Sequence, residues 1–266
     1  MKTRGKRAPI KREPVTGKDM LAVAQDIIYD AWEVRDARKR VALAKRALAT
    51  SPDCADAYVL LAEANQNKAL ELYRKGVEAG ERALGKETFE LEVGNFWGIL
   101  ETSPYMRARA GLAQSLWDCG QQNEAIAHWR DMLSLNPDDN QGIRYILAAR
   151  LLEIGRDREL NKLLNDYHND GGAHVIWCKA PLAFRTSGDT DKSRRALRMA
   201  LESNAYVPTY LLGHKRIPRQ LPDYVGFGDE AEAVCLVAEN LNSWKTTAGA
   251  LAWLAARIEA EKALFN

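Results

Sequence analysis

Apolar side chains recur at intervals of three and four residues through most of the chain, which places them on one face of successive α-helices. The stretch YMRARAGLAQSLWDCGQQNEAIAHWRDMLSLNP, from Tyr105 to Pro137, shows the pattern most clearly. Gly120 divides this stretch into two helical segments, because glycine readily takes the left-handed conformation that ends a helix. The pattern therefore predicts an all-α protein built from helix pairs.

The turn inside each helix pair recurs at a nearly constant spacing. Gly120, Gly155 and Gly188 follow one another at intervals of 35 and 33 residues, close to the repeat lengths of helical solenoids. The spacing predicts an α-solenoid of roughly five helix pairs over residues 19–205. A capping side chain follows each glycine and is expected to help start the second helix. The expected caps are Asn123, Asp157 and Asp189.

The stretch from Tyr105 to Pro137 resembles a tetratricopeptide repeat. That repeat combines a Leu-small pair, a large residue three positions on, Ala-x3-aromatic and a closing proline. The matching positions are Leu112, Ala113, Leu116, Ala125, Trp129 and Pro137, whereas Arg109 replaces the first aromatic residue. Small side chains allow two helices to approach closely, and proline ends the second helix. The resemblance implies an array whose first helices line a concave groove.

An irregular insert lengthens the second helix pair at about residues 86–104. It contains the sequence GKETFELEVGNFWGILETS, which interrupts the helical period. We expect Phe96 and Trp97 to anchor the insert over neighbouring helices, and the alternative is a lid over the groove.

Residues 206–266 break the regular period with a proline-rich crossing, YLLGHKRIPRQLPDYVGFGDE, over residues 210–230. Proline cannot continue a helix, so the solenoid is expected to stop here. Two further helices should close the open end of the core, with Asp229 capping the first and Thr246 or Thr247 capping the second. The residues expected to pack on the last repeat are Tyr210, Leu211 and Leu212.

Charge is distributed unevenly along the chain, although the net charge is only +2. Residues 1–18 carry seven Lys or Arg and one Glu, a net +6, so residues 19–266 carry 31 Lys or Arg against 35 acids, a net −4. The basic segment has little to bury and is predicted to be a disordered tail. Residues 1–14 can neutralise nucleic-acid phosphates, which leaves a nucleic-acid-associated accessory factor as an alternative function. The other alternative is a tail that only improves solubility.

Two motifs imitate nucleotide-binding loops. GERALGKE, from Gly80 to Glu87, continues a helical pattern and lacks the hydroxyl residue after the lysine. GFGDEA, from Gly226 to Ala231, lacks the βαβ unit that a dinucleotide site requires, and initiation of a helix by Asp229 explains it. Neither motif supports a cofactor.

The cysteines and histidines suggest no catalytic or metal chemistry. Cys54, Cys119, Cys178 and Cys235 lie 65, 59 and 57 residues apart, which fits neither a zinc motif nor a compact disulfide framework. They are expected to be small core residues in a reducing cytoplasm. The four histidines form no helical metal-binding pair. We predict no catalytic residue, no cofactor and no metal. A Ser/His/Asp or Cys/His site stays an open alternative, because its members come together only in space. No membrane association is predicted, since no long apolar run is present.

The expected partner-binding surface lies on the first helices of three repeats. The geometry that the tetratricopeptide resemblance implies places these residues in the groove: Arg107, Gln114, Trp117, Asp118, Tyr145 and Arg185. Arg144 is added to this groove as a residue that can face a ligand. Arginines and aromatic residues suit an extended peptide or a helix that carries carboxylates. Packing between repeats is the alternative for Trp117 and Tyr145. Arg144 can also pair with Asp139, Asp118 or Glu101.

A second candidate site is the basic cluster in the proline-rich crossing. Its members are His214, Lys215, Arg216 and Arg219. Helix capping requires none of these four side chains, so they indicate a site for an anion or an acidic partner.

Four stretches of the chain together resemble one family. In order they are NFWGILETSPYMRARAGLAQSLW, NPDDNQGIRYIL, YVPTYLLGHKRIP and WKTTAGALAWL, within about residues 90–255. They resemble the bacterial relatives of the suppressor of tumorigenicity seven family. The resemblance implies an all-helical scaffold and brings no catalytic activity. We therefore expect a cytoplasmic, non-enzymatic adaptor for a peptide or protein, and association of two copies stays open.

Overall fold

The computed structural model describes residues 16–264, and its regular structure is entirely helical. No β-strand forms within that range, so the predicted all-α fold class is confirmed. The α-helices of this range are α1 (Gly17–Glu33), α2 (Ala37–Thr50), α3 (Ala55–Glu63), α4 (Ala69–Leu91), α5 (Ser103–Asp118), α6 (Gln122–Leu135), α7 (Ile143–Glu153), α8 (Asp157–Asp166), α9 (Ala173–Ser187), α10 (Asp191–Ser203), α11 (Val207–Leu211), α12 (Glu230–Thr246) and α13 (Ala250–Leu264).

The predicted basic tail lies almost wholly outside the described residues. Of its eighteen positions, only residues 16–18 are described, and they belong to the start of α1. Thr16 caps the helix by accepting from the Asp19 backbone N–H at 3.3 Å, and the Thr16 N–H donates to Asp19 Oδ2 at 2.7 Å. Reciprocal capping of this kind fixes the first turn, so the helix begins two residues before the expected array.

The helices group into two compact units that divide between Gln141 and Gly142. The first unit contains α1 to α6 and the second contains α7 to α13. In the first unit α1 packs on α2, α3 on α4 and α5 on α6, and in the second α7 packs on α8 and α9 on α10. These five successive helix pairs match the number that the glycine spacing predicts, and each unit shows the paired-helix architecture of an α-solenoid.

Glycine ends the first helix of three pairs, as predicted. Gly120, Gly155 and Gly188 have φ angles of 78°, 73° and 67°. A side chain disfavours this region, whereas glycine enters it without steric cost. The recurring glycine is therefore a backbone requirement of the turn.

The predicted caps after these glycines are wrong in register. Asn123 lies inside α6, Asp157 is the first residue of α8, and Asp189 precedes the true cap of α10. That cap is Thr190, whose backbone N–H donates to Ser193 Oγ at 2.9 Å. The turns close one or two residues away from where side-chain type alone suggests.

A close contact between α4 and α5 organises part of the first unit. A Cβ atom on Gly76 would lie 3.1 Å from the Ala108 Cβ, and one on Gly80 would lie 2.9 Å from the Tyr105 Cβ. The two glycines are four residues apart and so share one face of α4. Gly80 also opens the GERALGKE motif, whose Glu-Arg-Ala-Leu segment is helical as predicted, whereas its second glycine, Gly85, lies at a kink in α4.

The insert begins at a kink in α4. Gly85 has φ 70° and ψ 166°, and the helix resumes after it as far as Leu91. An irregular turn and a short 3₁₀ turn (Leu100–Thr102) then lead into α5. The lengthened connection thus places a loop beside the start of α5.

Phe96 anchors this insert, as predicted. The side chain is fully buried, and its ring centroid lies 5.1 Å from that of Phe89 and 6.2 Å from that of Tyr105. The backbone N–H groups of Gly94 and Phe96 donate to the Leu135 carbonyl at 2.9 and 3.2 Å. The insert is therefore tied to the first unit through both its core and its backbone.

The core of the second unit joins α9 and α10 to the C-terminal helices. Trp177 and Trp244 are fully buried, with ring centroids 5.8 Å apart. Tyr210 and Leu211 belong to the same core and Leu212 packs against it, which confirms their predicted packing. Helices α11, α12 and α13 therefore complete the hydrophobic core that begins in α9 and α10.

For the last two helices, the predicted cap of α12 is confirmed and the predicted cap of α13 is wrong. Asp229 caps α12 by accepting a first-turn backbone N–H at 2.7 Å, which confirms that the GFGDEA motif starts a helix. The last helix, however, begins at Ala250. Thr246 and Thr247 do not cap it, because both hydroxyls donate backwards to the Ser243 carbonyl at the end of α12.

The cysteines are free but not all buried. Cys54 and Cys178 are buried and Cys235 is partly buried, as predicted for core residues. Cys119 is exposed, because it follows α5 directly at the glycine turn. The expectation of four core cysteines is wrong at this position.

Candidate functional site

Arg107, near the start of α5, is held rigidly by a buried carboxylate. Its Nε and Nη2 atoms donate to Asp56 Oδ1 and Oδ2 at 2.8 and 2.6 Å. Asp56 lies on α3, is fully buried, and also accepts from Gln25 Nε2 at 2.7 Å. Two parallel hydrogen bonds fix the plane of the guanidinium as well as its position.

Two tryptophans flank the same guanidinium. The Arg107 Cζ lies 5.1 Å from the ring centroid of Trp32 and 6.0 Å from that of Trp97. The Arg107 side chain is 29% exposed. Within residues 16–264 its Nη1 atom makes no hydrogen bond. Arg107 thus presents an oriented cation whose Nη1 atom can donate a hydrogen bond to a carboxylate or to a peptide carbonyl.

The sequence identified Arg107 as a binding residue and Trp97 only as an anchor of the insert, and it missed Asp56 and Trp32. Asp56 lies 51 residues before Arg107, on a different helix pair. An isolated Asp near the start of a helix is normally a helix-end residue at the surface, so the sequence carries no signal of this pairing. Packing of α3 against α5 creates it.

Gln114 and Asp118 continue the accessible side of α5. Gln114 follows Arg107 by seven residues and Asp118 follows Gln114 by four, so the three lie along one face. Gln114 is half-buried, Asp118 is exposed, and Gln114 Nε2 donates to Asp118 Oδ1 at 2.8 Å. We refer to Arg107, Gln114 and Asp118 as the α5 surface.

Trp117 belongs to the interior of the first unit. It is buried, and its ring centroid lies 5.8 Å from that of Trp129 in α6. Trp117 therefore has the alternative role, packing between helices, and not the predicted role in the groove. The residue supports the α5–α6 contact and offers little surface to a partner.

Arg144 and Tyr145 form a cluster at the start of α7 in the second unit. Arg144 Nε donates to Asp170 Oδ2 at 2.5 Å and Nη2 donates to Tyr145 Oη at 2.6 Å. The Arg144 Cζ lies 4.2 Å from the Tyr145 ring centroid, and the His174 ring lies 5.1 Å from the same ring. Asp170 was not among the acids expected for Arg144.

The electrostatics of this cluster favour a fixed ion pair. Burial raises the pKa of Asp170, but hydrogen bonds from Arg144, the Gly172 backbone N–H and Tyr145 outweigh burial and leave that pKa below its usual value. Burial lowers the pKa of His174. At neutral pH the aspartate is therefore ionised and the histidine neutral, which suits positioning rather than proton transfer.

Arg185 lies in α9 and makes different contacts from Arg144. Its Nη1 donates to the Leu152 carbonyl at 2.8 Å and to Thr247 Oγ1 at 3.3 Å, and its Nε donates to Asp157 Oδ2 at 3.2 Å. These bonds join α9 to the end of α7, the start of α8 and the end of α12. The predicted groove residues thus fall into the α5 surface with Trp117 in one unit, and the Arg144–Tyr145 pair and Arg185 in the other.

The predicted basic cluster lies on the solvent-exposed segment between α11 and α12. His214, Lys215, Arg216 and Arg219 are all exposed. Lys215 Nζ lies 2.5 Å from Glu230 Oε1, and hydrogen bonding and charge in this pair raise the pKa of the lysine and lower that of the glutamate. Of the four basic side chains, Lys215 is therefore already paired with the Glu230 carboxylate of α12.

A cleft of about 490 Å³ between α2 and α3 was not anticipated. Its charged lining residues are Arg38, Arg40 and Glu63. Burial raises the pKa of Glu63, and the charge of Arg40 partly opposes this. The cleft belongs to the first unit, and its lining comes from the first turns of α2 and from the last turn of α3 with Ala64 after it.

The described residues outside these clusters include acidic, histidine and cysteine side chains. Within residues 16–264, no three His, Cys, Asp or Glu side chains are placed to hold a metal ion. Burial raises the pKa of the Cys54 thiol to about 11 and that of Cys178 to about 12. Both thiols are therefore protonated at neutral pH and are weak nucleophiles. Over the same range, no helix has the length and apolar character needed to cross a bilayer.

The consecutive helix pairs of the described residues place this chain among all-helical proteins with an architecture consistent with an α-solenoid. A protein-family model with the description "ST7 protein" matches residues 15–169, which is more than half of the chain. The chain therefore belongs to the ST7 family.

Curated relatives support the same family. "Suppressor of tumorigenicity 7 protein-like" of Bos taurus is 26% identical over 287 residues, covering 90% of this chain and 51% of the relative. The Danio rerio protein of that name is 28% identical over 276 residues, covering 90% and 48%. "Protein ST7 homolog" of Drosophila melanogaster is 25% identical over 283 residues, covering 90% and 52%. The chain spans about half the length of these relatives, and no solved structure matches it.

These relatives come from animals. They support the family but not the bacterial branch that the sequence analysis named, and their names do not describe a tetratricopeptide protein. The confirmed part of the resemblance is the family and its all-helical fold.

Proposed function

We propose that this protein is a cytoplasmic, non-enzymatic adaptor built from tetratricopeptide-like helix pairs, which binds a peptide or a partner protein in a concave groove. The observation that carries the proposal is the α5 surface. Arg107 is oriented by a buried carboxylate, flanked by two tryptophans and partly open to solvent. An arginine whose orientation is already fixed loses little conformational entropy when it binds a ligand.

The α5 surface suits an extended segment that carries a carboxylate. Arg107 Nη1 can donate to that carboxylate while Trp32 and Trp97 cover its apolar neighbours. Gln114 and Asp118 lie farther along the same helix and can pair with backbone or side-chain donors of the segment. Recognition then follows from fixed polar groups beside aromatic rings, with no chemical step.

Site-specific photo-crosslinking tests this proposal. A photoreactive residue at Gln114 should capture a partner from the protein's own cells, whereas the same residue at the exposed Lys45 of α2 in the same unit should not. The purified partner should then bind Asp118→Arg about tenfold or more weakly than wild type, because the substitution reverses the charge at an exposed position.

Equal capture at Gln114 and Lys45, or unchanged affinity of Asp118→Arg, would remove the α5 surface as the binding site. Both variants replace accessible side chains and leave the Arg107–Asp56 pair intact. Loss of binding therefore cannot be attributed to damage of that pair, and circular dichroism checks that the helices persist.

The alternative function uses the basic residues 1–14, which lie outside the described residues. The net charge of +6 over residues 1–18 favours contact with nucleic-acid phosphates. Deletion of residues 1–14 should then abolish a DNA or RNA affinity that weakens steeply with salt. Absence of binding at low salt in the full chain eliminates this alternative.

A further inference from the structure

The segment between α11 and α12, residues 213–228, holds large apolar side chains in solvent. Phe227 is 98% exposed and Tyr224 is 86% exposed, and Leu221 and Val225 are exposed as well. Isolated exposed apolar residues are common on protein surfaces, but four within seven residues are a concentrated patch. We call residues 213–228 the aromatic loop.

Hydrogen bonds fix both ends of the aromatic loop. At its start, the Lys215 backbone N–H donates to the Thr209 carbonyl at 3.0 Å. At its end, the Gly226 N–H donates to Asp229 Oδ2 at 2.9 Å and the Gly228 N–H donates to Glu232 Oε2 at 2.8 Å. The fold therefore holds the loop in place while its aromatic rings face water.

The aromatic loop is basic. It contains three Lys or Arg residues and one Asp, a net charge of +2. Lys215 is paired with Glu230, whereas Arg216 and Arg219 are exposed and make no ion pair within residues 16–264. A surface that joins apolar rings to unpaired arginines is suited to an acidic surface with apolar side chains of its own.

The insert of the first unit has this complementary character. Leu91, Val93 and Leu100 are exposed by 70%, 57% and 68%. Residues 86–101 contain four Glu and one Lys, a net charge of −3. Buried Phe96 fixes the base of this segment, as described above. We call residues 86–101 the acidic insert.

We propose that the aromatic loop of one copy binds the acidic insert of a second copy. The two surfaces carry opposite net charges, and each leaves several large apolar side chains exposed to water in the single chain. Since both belong to one chain, every copy carries a donor and an acceptor surface in equal number. This inference goes beyond the adaptor function and does not depend on it.

The contact is heterologous, because two different surfaces meet. Each added copy therefore leaves one aromatic loop and one acidic insert unused at the ends of the assembly, so growth continues until a ring closes. The apolar part should persist in salt, whereas the charged part should weaken as the ionic strength rises. We expect an average mass that increases with protein concentration and decreases with salt.

Complementation between two variants tests this geometry. The loop variant is Tyr224→Ser with Phe227→Ser, and the insert variant is Leu91→Ser with Leu100→Ser. By sedimentation equilibrium of the full chain, each variant alone should associate about tenfold or more weakly than wild type. An equimolar mixture should form a dimer and nothing larger, because one intact loop then meets one intact insert.

Charge reversal provides a second readout with the same design. Arg216→Glu with Arg219→Glu should weaken self-association, because the reversed loop then repels the acidic insert. Mixing with a chain that carries Glu87→Arg and Glu90→Arg should restore assembly beyond a dimer, because both loop–insert contacts between the two variants then join opposite charges. Val23→Ser is the matched control, because Val23 is 50% exposed on α1 and lies outside both surfaces. This control should assemble as wild type does.

Any of four results would overturn the proposal. The first is a wild-type chain that stays monomeric at low salt and high concentration. The second is a variant mixture that stays monomeric, and the third is loss of assembly when residues 1–14 are deleted, which would make the basic tail the occupant. Binding of monomeric wild type, but not of the loop variant, to phosphatidylserine–phosphatidylcholine vesicles would also overturn it in favour of a lipid surface.

Discussion

At the scale of single residues, the buried carboxylate of Asp56 determines what Arg107 can do. Without Asp56 the guanidinium would be a flexible surface group, and without Arg107 a fully buried charge would lack its cation. Burying a charge is costly unless it is paired and hydrogen-bonded. The pair therefore links the stability of the first unit to the orientation of its candidate binding residue.

Asp56→Asn should destabilise the first unit by about 2–4 kcal/mol, because the amide cannot accept three hydrogen bonds and leaves Arg107 uncompensated. Urea unfolding monitored by circular dichroism measures this loss. The control is Asp53→Asn, which breaks the exposed pair with Arg82 and should cost less than about 1 kcal/mol. A similar loss of unfolding free energy for the two substitutions would contradict a special stabilising role for the buried Asp56 carboxylate.

At the scale of helices, glycine spacing on α4 sets how closely α4 and α5 approach. The Cβ, Cδ2 and Cα atoms of Tyr105 occupy the space that a side chain on Gly80 would need. Tyr105 is itself buried and its ring packs against Phe89 and Phe96, so it cannot move aside easily. The pair of helices is therefore sensitive to a single methyl group.

Gly80→Ala should destabilise the protein by about 1–2 kcal/mol, because overpacking outweighs the gain of about 1 kcal/mol from helix propensity. Thermal or urea unfolding tests the sign of the change. Gly17→Ala is the control, since a Cβ atom there meets nothing within 4 Å. A stabilised Gly80→Ala variant would contradict the close contact between α4 and α5.

At the scale of the whole molecule, each unit contains a histidine that burial keeps neutral. Burial lowers the pKa of His128 in the first unit and that of His174 in the second. In the unfolded chain both would titrate near the usual value of about 6.5. The unfolded state therefore binds more protons below that pH, and acid should destabilise both units.

The free energy of unfolding should fall as the pH is lowered from about 7.5 to about 5.5, through the ordinary histidine pKa of about 6.5. Urea titrations at several pH values measure the slope. The double variant His128→Asn and His174→Asn should show a flatter dependence. The raised pKa of Glu63 acts in the opposite direction near its own lower range, so it does not produce this acid-side loss. A wild-type stability that is constant over the interval would contradict buried neutral histidines.

Several features were determined by the sequence alone, because they are local. The period of the apolar residues predicted the helices. Gly120, Gly155 and Gly188 predicted the turns, since only glycine takes a positive φ without strain. Asp229 could be identified as a cap because its partner is a backbone N–H only three residues away. The burial of Phe96 could likewise be predicted, because a large aromatic side chain in an irregular insert gains stability by packing on neighbouring helices.

Only the tertiary structure decided which side chains meet across helices. The Asp56–Arg107 pair joins residues 51 positions apart in the sequence, and the Arg144–Asp170 pair joins residues 26 positions apart. Trp117, which its repeat position placed in a groove, instead packs on Trp129. Helical periodicity says which residues share a face, but the face of the neighbouring helix depends on crossing geometry and distance. The helices and their turns thus follow from local backbone preferences, whereas the binding residues acquire their roles from packing.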